Sequence, residues 1–249
     1  MDVAGKNVLV TGGGNGIGKS LVKKLSSKGA NIGVFDVDEA ALDRLAGEYP
    51  NIYCVKCDVS NSGQVKGAVD QFSEKFRVID VLVNNAAFIF SSPLVGFGKD
   101  GFSKHDIGMW EKVIQTDLSS VFYVTVQVVE KMLRSRTKGV VVNISSICAS
   151  GNAGQGAYSA AKAGVNALTV AWAKELSAMK IRFVAVAPGF TGTDTTIRAV
   201  EESVLNSWVK QTPARRLGAA DEIAEGILFA IGNDFVNGKV IEVDGGLRM

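Results

Sequence analysis

Short apolar runs alternate along the chain with longer stretches in which apolar residues return every three or four positions. The runs fall at residues 7–10, 31–35, 52–55, 78–83, 140–144, 181–187 and 239–243. Each has the length of a strand buried on both faces. Between them, Leu21, Val22 and Leu25, then Val65, Val69 and Phe72, recur at helical spacing. Two longer helices are predicted over 110–134 and 158–179. Such alternation implies parallel strands joined by right-handed crossovers, with helices on both faces. The expected fold is α/β, a doubly wound parallel seven-stranded sheet in a single domain over 1–249. In that architecture ligands bind at the carboxyl ends of the strands.

Composition narrows the classes of function. The 249 residues are 47% hydrophobic and 21% charged, which suits one large core. Net charge is +2, and the charges are spread along the chain. Neither a nucleic-acid partner nor an anionic membrane surface is called for. No run approaches the roughly 18–20 apolar residues of a membrane span. The start leads directly into a strand, so no signal peptide is expected. Three cysteines, an odd number without a secretory signal, favour a reducing cytoplasm. Cys54 and Cys57 have C-x-x-C spacing but no second pair or nearby histidine, and a strand would point them to opposite faces. No metal is expected. The only histidine, His105, lies among Gly, Ser and Lys and is expected to be solvated. Histidine-based acid–base chemistry is therefore not foreseen.

The chemistry gathers in two places. After the first run, Thr11-Gly12-Gly13-Gly14-Asn15-Gly16-Ile17-Gly18 opens a helix. Glycines there allow a tight turn, close approach of a pyrophosphate and a helix N-terminus aimed at it. Asp36 follows Gly18 by eighteen residues, at the end of the second run. Its carboxylate would accept both adenosine ribose hydroxyls and repel a 2′-phosphate, and Asn15 stands where a basic residue would suit that phosphate. Asp36 capping a helix near Asp38 is the alternative. Asp58, after the third run, either reaches the adenine or forms a turn. Further on, Tyr158 and Lys162 stand four apart on a predicted helix, and Ser145 lies thirteen residues before the tyrosine. A nearby cation favours the phenolate of a tyrosine whose ordinary pKa is roughly 10. Ser145 could then donate to a substrate oxygen beside the phenol. Cys148, three residues after Ser145, reads as a small buried thiol.

With the glycine turn, Asp36, Asn84-Asn85-Ala86, Ser145, Tyr158 and Lys162 in order, the chain resembles the short-chain dehydrogenase/reductase family. Pro188-Gly189 and Val243-Asp244-Gly245-Gly246 extend the match from Lys6 to the last residues. The resemblance implies a Rossmann sheet, a nicotinamide cofactor and hydride transfer between a secondary alcohol and a ketone. It makes Tyr158 the general acid in reduction and the base in oxidation. Lys162 lowers its pKa and binds the nicotinamide ribose, and Ser145 orients the substrate oxygen. The cofactor set it implies is Gly12, Asn15, Gly16, Ile17, Gly18, Asp36, Asp58, Val59, Asn85, Ala86, Tyr158, Lys162, Pro188, Gly189, Thr191 and Thr193. Asp36 favours NAD over NADP. A homotetramer is implied as well, through the long helices across one interface and the C-terminal strand across another.

Two departures stand out. In Gln115-Thr116-Asp117-Leu118, Asp117 occupies the place of the family's asparagine, where a carboxylate adds a charged partner for Lys162. It joins the catalytic set. Ala87 stands where the family motif ends in glycine, and matters only if the backbone there needs positive φ. Two segments are free to meet a substrate. Residues 88–107 read as an inserted substrate loop or a peripheral hairpin. Residues 193–213 carry Ile197, Val200, Val204 and Trp208 at helical spacing and read as an apolar lid. An apolar lid suits a substrate with a hydrophobic body. The chain is similar to 3-oxoacyl-carrier-protein reductases and to short-chain 3-hydroxyacyl-CoA dehydrogenases that also accept hydroxysteroids. Arg136 either contacts an acidic carrier or is simply solvated. An NAD-sensing protein without turnover is the competing class.

Overall fold

The computed structural model describes residues 1–98 and 101–247. Seven parallel strands form one sheet: β1 (Asn7–Thr11), β2 (Asn31–Asp36), β3 (Tyr53–Lys56), β4 (Val81–Asn84), β7 (Val140–Ile144), β8 (Arg182–Pro188) and β9 (Lys239–Val243). Their order is β3-β2-β1-β4-β7-β8-β9. The chain therefore moves outward from β1 in one direction and returns at β4 to build in the other. That reversal opens a crevice beside the carboxyl ends of β1 and β4.

Alternate residues of each strand serve opposite faces. Val8 and Val10, Val81 and Val83, Val140 and Val142 join one cluster with Leu21, Leu25, Leu42 and Ile227. Leu9, Leu82 and Val141 join the other, with Val69, Phe72, Val128 and Phe183. Helices α1 (Gly16–Ser27), α2 (Glu39–Glu48) and α9 (Ala220–Gly232) cover the first face. Helices α3 (Ser62–Phe76), α5 (Ser120–Arg134) and α6 (Gly156–Leu176) cover the second. Each fully buried Val, Leu or Phe in these layers contributes about 1.5–3 kcal/mol. Helix α3 shows the local logic: Asn61 accepts from the Gly63 and Gln64 amides at its start, and Arg77 turns left-handed (φ 65°) at its end. No helix among the described residues is long and apolar enough to cross a membrane.

Of three segments read from the sequence, two differ from the expectation and 88–107 takes its peripheral-hairpin reading. The helix foreseen over 110–134 begins earlier, as α4 (Ile107–Ile114), and runs into α5 through a π-helical turn, Gln115–Ser119. The 88–107 segment folds part of its length into an antiparallel hairpin of β5 (Val95–Gly98) and β6 (Gly101–Lys104), outside the main sheet. The apolar stripe at 193–213 is split between α7 (Asp194–Ala199) and α8 (Glu202–Gln211), because Val200 is extended (φ −111°, ψ 133°).

Candidate active site

The glycine turn is shaped by close backbone contacts. Gly12 has φ 64°, and a Cβ on Gly18 would lie 2.1 Å from the Gly12 carbonyl oxygen, so that position admits no side chain. Asn85 locks the turn to the end of β4: its Nδ2 donates to the Thr11 and Gly12 carbonyls at 3.1 and 2.8 Å. The Asn85 and Ala86 amides in turn donate to Thr11 Oγ1 at 3.1 Å. Helix α1 then starts at Gly16 with no side-chain cap on its first amides and no acid in its first turn. Helices α2 and α3, by contrast, are capped by Asp38 and Asn61. Uncapped amides behind a turn stripped of side chains fit a pyrophosphate. Ile17 packs its side chain into the first core.

Asp36 ends β2 beside this turn. One oxygen accepts from the Gly14 amide at 2.9 Å and the other from the Asp38 amide at 3.0 Å. Asp38, not Asp36, caps α2, so the capping alternative for Asp36 falls. Asn15 Nδ2 reaches Asp38 Oδ2 at 3.3 Å. Asp58 accepts from the Ser60 amide and hydroxyl and so builds a turn, with its side chain exposed. Val59 is buried in the second core, which leaves only its backbone to meet a ligand.

The catalytic candidates meet two strands away. Ser145 leaves the end of β7 with its amide donating to Val186 O at 2.8 Å and its hydroxyl 3.5 Å from Lys162 O. Tyr158 and Lys162 sit one turn apart on α6, and Nζ lies 5.5 Å from the phenol ring centroid. Lys162 is 2% exposed and donates to Ile144 O at 3.0 Å. Asp117, fully buried in the π-turn, places Oδ1 3.4 Å from Lys162 Nζ and accepts from the Phe88 amide at 3.1 Å. Beneath them, Asn84 donates to Thr125 and Asn143, and Asn143 donates to Thr169. This buried chain of hydrogen bonds ties β4 and β7 to α5 and α6.

One electrostatic expectation is reversed. Lys162 was expected to hold the Tyr158 phenol below its ordinary value. Burial instead pushes it up, and the Asp117 charge adds to the rise, followed by Cys148; the Ser146 hydroxyl works the other way. Burial also raises Asp117, against Lys162 and the Phe88 amide.

An apolar cluster packs around Tyr158. Val113, Ile147, Cys148, Ala157 and Leu247 pack with Tyr158, and Phe88, Phe90 and Phe190 close against them. Phe190 stacks on Trp208 of α8, with centroids 4.4 Å apart and planes 6° from parallel. Val113, Ile147, Phe190 and Leu247 carried no sequence signal, since they come from four separate segments. Thr193 caps α7 and lies against Gly16 of the glycine turn. Thr191 Oγ1 donates to Gly189 O, and the Gly189 amide to Val243 O, just beyond Pro188 at the end of β8. His105 is half-buried rather than solvated: Nδ1 meets Ser92 O at 3.2 Å and the ring packs edge-on to Phe90. Cys54 faces the first core and Cys57 the second, where burial lifts its thiol to about 11. The C-x-x-C pair therefore points two ways. Arg136 is exposed, with φ 53°. Ala87 is not among the residues of positive φ, so its methyl costs the loop nothing.

Residues 12–248 match the family described as enoyl-(acyl carrier protein) reductase. Among curated relatives, the 3-oxoacyl-[acyl-carrier-protein] reductase FabG of Chlamydia pneumoniae is 36% identical, covering 99% of both chains. The protein of the same name from Thermotoga maritima is also 36% identical over 99% of both. A solved structure described as the crystal structure of gox2181 superposes with a TM-score of 0.89 at 29% identity. It covers 98% of this chain and 95% of the other.

Proposed function

The chain belongs to the short-chain dehydrogenase/reductase family, and from that premise we propose that it is an NAD-dependent enzyme interconverting 3-oxoacyl and 3-hydroxyacyl thioesters. The observation that carries the reading is that buried Ser145, Tyr158 and Lys162 lie at the carboxyl end of the central strands, on the same side of the sheet as the uncapped glycine turn. The 3-oxoacyl-carrier-protein reductases among its relatives favour the thioester.

In this reading the α1 amides receive the pyrophosphate, and Asp36 accepts the adenosine ribose hydroxyls while repelling a 2′-phosphate. When bound, the nicotinamide supplies the hydride for the carbonyl carbon. Tyr158 gives its proton to the carbonyl oxygen in reduction and takes it back in oxidation. The Ser145 hydroxyl donates to that oxygen and fixes it beside the phenol. Lys162 binds the nicotinamide ribose. Phe88, Phe90 and Phe190 keep water from the phenol and offer an apolar wall to an acyl chain. The reading includes a homotetramer, supported by an apolar groove of about 620 Å³ between α5 and α6, lined by Leu118, Phe122, Tyr123, Ala167, Leu168 and Ala171. None of the groove's lining residues is a catalytic candidate.

A panel of 3-oxoacyl thioesters, enoyl thioesters, hydroxysteroids and aryl alcohols, each with NAD(H) and NADP(H), tests the assignment. The highest kcat/KM is expected for 3-oxoacyl thioesters with NADH. Tyr158→Phe is expected to lower kcat by about 10²–10⁴-fold while leaving NADH affinity intact. Turnover that survives this substitution, or NADH binding without turnover in any class, rejects the reading. A preference for enoyl thioesters would point to the reaction named in the matched family's description.

A further inference from the structure

We propose that Asp117 is a positioning residue that holds Tyr158 in its protonated, proton-donating form through neutral pH, so that the site is set for carbonyl reduction. The proposal rests on Tyr158 being the proton-transfer group.

The geometry is built by the π-helical turn between α4 and α5. Its widened backbone carries Asp117 into the interior, at 0% exposure, directly opposite α6. There the carboxylate has two partners, Lys162 Nζ at 3.4 Å and the Phe88 amide at 3.1 and 3.3 Å. Lys162 in turn has a carbonyl partner, Ile144 O. Among the described residues, the charged and titratable groups facing the phenol are few. Lys162 comes from its own helix, Asp117 from the π-turn and Cys148 from the segment after β7, with the Ser145 and Ser146 hydroxyls beside them.

A lone ammonium 5.5 Å from the ring would draw the phenol toward phenolate. A carboxylate 3.4 Å from that ammonium turns the cation into one end of an ion pair, so the phenol meets a dipole instead. In water such a pair would be screened, but here both members are buried. The upward displacement of Tyr158 by burial and by Asp117 agrees with this arrangement.

The direction of the effect on chemistry follows. Reduction needs the phenol to carry its proton, which passes to the substrate oxygen and is regained from solvent. Oxidation needs the phenolate. With the phenol held neutral, reduction proceeds unchanged across neutral pH, while oxidation climbs only in alkaline solution. Asn at position 117 would still accept from the Phe88 amide but carry no charge, so it separates the electrostatic role from a merely structural one.

Two measurements test the proposal. In Asp117→Asn, the pH at which kcat/KM for alcohol oxidation rises is expected to move down by about one unit or more. An unmoved or upward-moved limb overturns the proposal. Without any substrate, tyrosinate absorbance near 295 nm is titrated in the wild type and in Tyr158→Phe. Their difference is expected to show no ionisation step below about pH 10, and the same difference on the Asp117→Asn background a step at lower pH. A wild-type step below that value overturns the proposal even if Asp117→Asn does not fold. Because this titration needs no turnover, it stands whether or not the assigned reaction is found. Failure of the substrate panel alone rejects only the assigned reaction.

Discussion

At the end of β2, Asp36 already accepts from the Gly14 and Asp38 amides, which pins both oxygens beside the glycine turn. In the proposed reading, a carboxylate fixed there selects by charge, accepting from a free ribose and repelling a 2′-phosphate. Asp36→Ser is expected to weaken NADH binding by about tenfold, the scale of one hydrogen bond to a charged group, and to strengthen NADPH binding. Fluorescence titration of both cofactors checks this; an unchanged preference would remove Asp36 as the selector. Of the single residues, Asp36 was legible because its place after the second strand is a sequence distance. The state of Tyr158 was not, because Lys162 and Asp117 are visible in the sequence while the burial that raises the phenol is not.

Among the elements, the strands and the helices that cover them follow directly from apolar periodicity. Cys54 and Cys57 fall on opposite faces of the sheet as strand alternation requires. The π-turn at Gln115–Ser119 has no such signature, since inserting one residue into a helical turn leaves the flanking pattern intact. The lid segment was recognisable as an apolar stripe, but its division at Val200 and its stacking on Phe190 depend on contact with the pocket. That stack joins α8 to the cluster around Tyr158, as the proposed lid requires. Trp208→Ala removes an aromatic pair worth about 0.5–1.5 kcal/mol beyond its burial. KM for long acyl substrates is therefore expected to rise about 2–10-fold, with NADH affinity unchanged. Equal increases for short and long acyl chains would argue against a lid that touches the chain.

For the whole molecule, Phe122 in the groove between α5 and α6 and nearby Val126 on α5 are exposed apolar side chains. Apolar faces of that kind are buried when copies associate about a symmetry axis. Light scattering on size exclusion is expected to give a tetramer of 26.3 kDa chains. Phe122→Asp is expected to shift it to smaller species without loss of the folded circular dichroism signal. A wild type that elutes as a monomer, or a variant with unchanged mass, would reject this interface.

The sequence by itself determined the doubly wound sheet, the glycine turn, Asp36 and the order of Ser145, Tyr158 and Lys162. Those depend on local spacing: a period of two or of 3.6, a glycine where no Cβ fits, and residues four apart on one helix. The tertiary structure decided between loop and hairpin for 88–107, assembled the cluster of Phe88, Phe90, Phe190 and Leu247, and set the burial and distance of the Asp117–Lys162 pair that the sequence had placed as partners. The cluster and the Asp117–Lys162 pair join segments dozens of positions apart. Their energies come from desolvation and from charge at close range, and neither exists until the chain has folded.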